Sequence, residues 1–275
     1  MIRQIGLLLG WGIVGISLIG APVFPFQFGF PRTEPNTVSF ASPSVIDLDG
    51  NGQLEILTAD SGGCVWGWQQ SGAPLAGFPL STNNGTCSGE RINGPLAIGD
   101  VNRDGVLEIA AGTRGASNQA GERGKVFLWD AHGTLLPGWP REMDWNSQYA
   151  TSEAEVYSVA LGNVAGDEGL EILAGTSNNT HRWDQGEPYP DASNLYAWYA
   201  DGTLVSGYPT WYKTAGIFGQ VGAADLDHDG YLEVVTGRDQ LYIHAYQAEG
   251  QQLDNWPVLT YVDVNQTKWA TDRYI

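Results

Sequence analysis

The chain has 275 residues, 31 Asp and Glu against 13 Lys and Arg, and a formal charge of −18, yet charged residues make up only 16% of it. That sign excludes a protein that grips phosphate backbones, and 42% hydrophobic residues exclude a disordered chain. The 37 glycines and 11 tryptophans, with no Lys/Glu/Ala heptads, exclude a helical bundle and suit a turn-rich β-protein.

Residues 1–31 form the first segment. Arg3 is followed by an uncharged stretch from Gln4 to Pro31, apolar from Ile5 to Ile19. A basic start followed by a hydrophobic run reads as an export signal. No clean small-x-small cleavage pattern follows, so an uncleaved N-terminal membrane anchor is the alternative. Either reading places the remainder outside the cytoplasm: secreted, periplasmic or at the cell surface. Contact with a membrane is expected only through this segment. Cys64 and Cys87 are the only cysteines. In an oxidising compartment they are expected to be bridged, the alternative being two unpaired small residues.

Four acidic segments then recur: Asp47–Glu55, Asp100–Glu108, Asn163–Glu171 and Asp225–Glu233. Their starts are 53, 63 and 62 residues apart, and each runs into a short β-prone stretch. A second signature follows in every copy: an aromatic, Gly four residues on, another aromatic six further, then Pro. Its members are Trp68/Gly72/Phe78/Pro79, Trp129/Gly133/Trp139/Pro140, Trp198/Gly202/Tyr208/Pro209 and Tyr246/Gly250/Trp256/Pro257. A Gly at one fixed offset predicts a hairpin turn. Each unit therefore holds about four strands: one before the acidic loop, one after it, and a hairpin. The first aromatics are expected to be packed between blades.

These Asp-x-Asp-x-Asp-Gly-x-x-acid loops, each set between two strands and repeated about every 60 residues, resemble FG-GAP (VCBS-type) repeats, as in the propeller of integrin α-chains. The resemblance covers roughly residues 32–257. It implies an all-β protein, a β-propeller of four-stranded blades. The repeats are placed at 32–79, 80–140, 141–209 and 210–257, with 258–275 a closing strand or the start of a fifth blade. Gly29-Phe30-Pro31 repeats the end of the second signature ahead of the first loop. The ring is therefore read as incomplete, or closed by Val258–Ile275.

Alternate oxygen side chains in a tight loop, without His or Cys, suit Ca2+. The expected ligands are Asp47, Asp49, Asn51 and Glu55; Asp100, Asn102, Asp104 and Glu108; and Asp225, Asp227, Asp229 and Glu233. Gln53, Val106 and Tyr231 would offer backbone carbonyls. Copy three keeps only Asn163, Asp167 and Glu171, because Ala165 replaces a ligand and Gly169 falls one position late. Three structural calcium sites are expected, with a weak site at most in copy three. His228 is expected to point to solvent.

Blades two and three carry insertions between their second and third strands, within Thr113–Gly124 and Thr176–Asn194. In a four-stranded meander these lie opposite the acidic loops and form a variable face, where binding usually resides. Arg114, Arg123, His181, Arg182, Trp183, Asp184 and Tyr189 are its candidate ligand residues. No catalytic set stands out among the four His residues. The expected function is an exported calcium-binding module for a protein or carbohydrate ligand, adhesion-like by resemblance. The alternative is an enzyme acting on polysaccharide, or its non-catalytic accessory module.

Overall fold

The structure is a computed structural model that describes residues 29–30, 32–36, 41–114, 123–143, 155–176, 193–211, 217, 219–237 and 242–259. The candidate export segment, apart from its end at Gly29-Phe30, lies outside these residues. So do the ligand-face candidates His181, Arg182, Trp183, Asp184 and Tyr189, and the stretch 260–275. Among the described residues there is no helix.

Four antiparallel sheets follow one another, each with its strands in chain order. Sheet one holds β1 (Ser44–Ile46), β2 (Glu55–Ala59), β3 (Cys64–Gln69) and β4 (Leu80–Ser81). Sheet two holds β5 (Ala97–Gly99), β6 (Glu108–Gly112), β7 (Lys125–Asp130) and β8 (Arg141–Glu142). Sheet three holds β9 (Val156–Gly162), β10 (Glu171–Thr176), β11 (Ser193–Trp198) and β12 (Thr210–Trp211). Sheet four holds β13 (Val221–Ala224), β14 (Glu233–Gly237), β15 (Tyr242–Tyr246) and β16 (Val258–Leu259).

The acidic segment is the turn between first and second strands in every sheet. At the end of the third strand, Gln69 N–H donates to the Ala73 carbonyl, and the same bond recurs from Asp130 to Thr134, Tyr199 to Thr203 and Gln247 to Gln251. Gly72, Gly133, Gly202 and Gly250 take φ of 78°, 92°, 80° and 71° in these turns, which a side chain would strain. A second turn then leads through the aromatic and a cis proline into a two-residue fourth strand. The fourth strand thus lies beyond the proline at which each repeat was expected to end. In particular, Val258–Leu259 is the outer strand of sheet four, not part of a closing strand or a fifth blade.

The sheets are packed face to face. Leu57, Ala59 and Val65 of sheet one share a core with Ile109, Phe127 and Trp129 of sheet two. Ala110, Val126 and Leu128 meet Ile172, Tyr196 and Trp198. Leu173, Leu195 and Ala197 meet Val221, Val234 and Tyr246. Successive residues of a strand point to opposite faces, so each central strand feeds two cores and reads as a near-continuous apolar run. The repeated aromatics Trp68, Trp129, Trp198 and Tyr246 are all buried. Trp139 Nε1–H donates across the boundary to the Ala200 carbonyl at 2.8 Å, and Tyr208 OH to that of Gln247 at 3.2 Å. Face-packed four-stranded meanders are the blade arrangement of a β-propeller.

Cys64 and Cys87 are disulfide-bonded, their Cα atoms 5.3 Å apart. Beside them Asp60 is fully buried. Its carboxylate accepts Gly62 N–H, Cys64 N–H, Trp66 Nε1–H and Asn36 Nδ2–H at 2.8–3.3 Å. Asn36 also donates to the Cys87 carbonyl at 3.0 Å, which ties the entering chain to the bridge.

Leu173 is fully buried between sheets three and four. Leu173→Ala is expected to cost about 2–5 kcal/mol of unfolding free energy, read from the urea midpoint. A cost within about 0.5 kcal/mol, typical of a surface substitution, would show that these sheets do not share a core.

Candidate metal centre

Counting each acidic loop from position one, the residue at position nine opens the second strand and is buried. Glu55, Glu108, Glu171 and Glu233 are each at most 2% exposed. One carboxylate oxygen of each accepts the backbone N–H of position two: Leu48 at 2.8 Å, Val101 at 2.8 Å, Val164 at 2.7 Å and Leu226 at 2.7 Å. The glutamate is therefore a clamp that closes the loop on itself. Its other oxygen is left for a further partner, which for Glu108 is the Asn102 amide.

Position one holds the turn from the other side. Asp47 Oδ1 accepts Asn51 N–H and Oδ2 accepts Gly52 N–H; Asp100 does the same for Asp104 and Gly105. Position three accepts the N–H of position five, and position five that of position seven, in loops one, two and four. These local bonds turn alternate side chains to one side. They need left-handed backbone at positions four and six. Gly52, Gly105 and Gly230 supply it at position six; Gly50, Arg103 and His228 supply it at position four. His228 is exposed there, as its alternation predicts.

The loops differ in what they bring together. Carboxylate oxygens of Asp47, Asp49 and Glu55 lie within 4.8 Å of one another, as do those of Asp225, Asp227 and Asp229. Asp225 Oδ1 is buried and accepts no hydrogen bond. In loop two, Asn102 takes the place of the second Asp. Its Oδ1 accepts Asp104 N–H, so its Nδ2 faces the acids, 3.0 Å from Asp104 Oδ2 and 3.4 Å from Glu108 Oε1. The amide thus bridges two carboxylates that a cation would otherwise hold. In loop three, Asn163 Nδ2 donates to the Asp167 carbonyl, and Ala165 N–H joins Val164 N–H on Glu171. Asn163, Asp167 and Glu171 are spent on the turn itself.

Neighbouring loops also touch. Arg103 pairs with Glu168, and the Tyr231 ring lies where a Cβ on Gly166 would stand. Loops two, three and four are thereby linked along one face.

On the opposite face, two ligand-face candidates have other roles. Arg114 is ion-paired with the buried Glu155, and Arg123 with Glu142 at 3.1 Å. The first joins the end of β6 to the connection leading into β9, and the second ties the start of β7 to β8 within sheet two. Lys125 and Thr113 converge on Glu90 there. The clamp and the Asp60 centre were not read from the sequence. The clamp had a signal: Glu171 persists in the one copy whose ligand pattern fails. Asp60 had only its place before a Ser-Gly-Gly turn.

Burial and the nearby Asp104 and Asp100 push the Glu108 carboxyl up to about 7. A raised acid binds its proton more tightly when folded, so its cost appears above the ordinary value of 4.5 and is complete above about 7. In chelator, stability is expected to fall as pH rises through that window, measured by urea unfolding. Glu108→Gln should flatten the fall; an unchanged slope would refute the assignment. Glu171→Ala leaves the buried Val164 N–H unpaired and is expected to cost about 1–3 kcal/mol, without altering calcium uptake in titration calorimetry.

A computationally designed protein, Ika4, aligns at a TM-score of 0.40 and 12% identity over 76% of this chain and 97% of its own. BBS1N, solved in complex with ARL6DN and soaked with lead, aligns at 0.49 and 10% identity over 79% of this chain. The alignment spans 57% of the BBS1N chain. The mercury-soaked crystal of the same complex aligns at 0.46 and 13% identity, over 82% of this chain and 67% of that one. No curated protein matches the chain. The model of the FG-GAP-like repeat matches residues 34–111, from the strand before the first acidic loop to the strand after the second, so this part of the chain is similar to an FG-GAP-like repeat.

Proposed function

We propose that the protein is an exported β-propeller whose acidic loops bind Ca2+ structurally and whose variable face engages a protein or carbohydrate ligand. The observation that carries the metal reading is the convergence of three carboxylates in loops one and four, with Asp225 Oδ1 buried and unpartnered. Like charges this close repel unless a cation lies among them. An all-oxygen set selects a hard ion. Asp47, Asp49, Asn51 and Glu55 would hold one ion, with the Gln53 carbonyl; Asp225, Asp227, Asp229 and Glu233 would hold another, with that of Tyr231. Loop two takes an ion once the Asn102 amide turns its oxygen inward, and so binds more weakly. Loop three takes none. The ion offsets most or half of the loop's negative charge and locks the first two strands of its blade.

Support for the ligand face is topological. The largely buried Arg114–Glu155 and Lys125–Glu90 pairs brace the strand ends of sheet two from which its inserted loop leaves, and the disulfide and the Asp60 centre brace sheet one on the same face. A rigid rim under long loops is the usual setting for recognition. The acidity fits a partner without phosphate backbone, since 13 of the 31 acidic residues lie in the four loops.

Calcium is expected to raise the melting temperature, and excess EGTA to lower it. Asp227→Ala should remove one tight site in titration calorimetry, and Asn102→Asp should tighten loop two. A melting curve indifferent to EGTA would sink the metal reading. For the ligand, a glycan-array signal from calcium-loaded protein that disappears in Trp183→Ala is the expected result; a signal that survives would move the site elsewhere.

A further inference from the structure

One interface is built three times between consecutive sheets, and each half has fixed members. The earlier sheet contributes position two of its acidic loop: Leu48, Val101 and Val164, all buried. The later sheet contributes position eight and a first-strand residue: Leu107 with Ile98, Leu170 with Leu161, and Leu232 with Ala223. Beyond these apolar cores, a glycine in the earlier sheet's last turn lies against the hairpin of the later one. Gly77 meets the His132 carbonyl, Gly138 that of Asp201, and Gly207 that of Glu249, so closely that a Cβ would overlap the oxygen.

Each half is left over once. Sheet four presents Leu226 at position two, 38% exposed where its three counterparts are at most 5% exposed. Sheet one presents Leu54 at position eight and Val45 in its first strand, 54% and 59% exposed. The remaining apolar surface of the two halves is therefore complementary: it is the same interface, undocked. The turns show one qualification. Gly29, with φ of 89°, lies against the Ser71 carbonyl and Gly72 as Gly77 does against the next hairpin. Asn255, with φ of 67°, stands at the equivalent point of sheet four. Among the described residues all four receiving hairpins are filled, and Asn255 has none.

We propose that a second copy of this chain docks its sheet one onto sheet four, head to tail, through the apolar core of this repeated interface, with Gly29 keeping its place against the sheet-one hairpin. The occupant follows from continuity with an interface already formed three times by the same residue types. A head-to-tail contact leaves the opposite half free on each copy, so it closes if the rotation allows and otherwise propagates. A longer apolar face with an exposed strand edge, Val258–Leu259, adds to the drive for association.

Sedimentation velocity on the full chain tests this. The wild-type chain is expected to show a concentration-dependent species larger than one copy. Leu226→Asp and Leu54→Lys should each abolish it, and an equimolar mixture of the two should restore a dimer, because the intact Leu54 half of one variant meets the intact Leu226 half of the other. Both residues are exposed in the single chain, so each variant should keep the wild-type melting temperature. A monomer at every concentration would overturn the proposal. So would association that survives Leu226→Asp and Leu54→Lys, or a mixture that stays monomeric.

Discussion

A buried carboxylate that accepts one backbone N–H is the constraint on which the rest of this structure depends. Taking a glutamate out of water is costly, and the bond to position two offsets part of that cost. What remains shows in Glu108, whose carboxyl holds its proton up to about 7. The bond fixes the distance from the first strand's end to the second strand's start, so the eight residues between must form one compact turn. The side chains at positions one, three and five are then carried inward whether or not a cation is present. Loop three makes the separation visible. It keeps the clamp on Glu171, lacks the acid set, and still joins β9 to β10.

The same turn also serves the packing. Position two, held by the clamp, points its side chain into the next interblade core, and position eight points into the preceding one. A cation bound in the loop would therefore stiffen a hydrophobic contact as well as a turn. Arg103–Glu168 and Tyr231 over Gly166 extend this coupling from loop to loop, although the exposed ion pair contributes little by itself.

Much of the fold was legible because the chain repeats itself. Four Gly and four aromatic–Pro pairs at one spacing were enough to place four strands per blade, and the Cys pair was readable as a bridge from the compartment that the N-terminal segment implies. The two-residue outer strands were not: Leu80–Ser81 and Val258–Leu259 carry no periodicity to recognise, being defined only by pairing with β3 and β15. Within the site, residue types at alternate positions announced the acids but not their hydrogen bonds. Asn102 reads as a ligand oxygen in the sequence and presents its NH2 in the structure, because Asp104 N–H claims the oxygen. Arg114 reads as a surface cation, yet is paired with an acid 41 residues on. Long-range pairing of this kind has no local signature.

Amide hydrogen exchange tests the clamp and the cation together. In chelator, the amides of Leu48, Val101, Val164 and Leu226 are expected to exchange slowly in all four loops. Added calcium should further slow Asn51, Gly52, Asp229 and Gly230, and leave Gly166 and Gly169 of loop three unchanged. Rapid exchange at the four position-two amides, or a calcium response that is absent from loops one and four, would contradict the account.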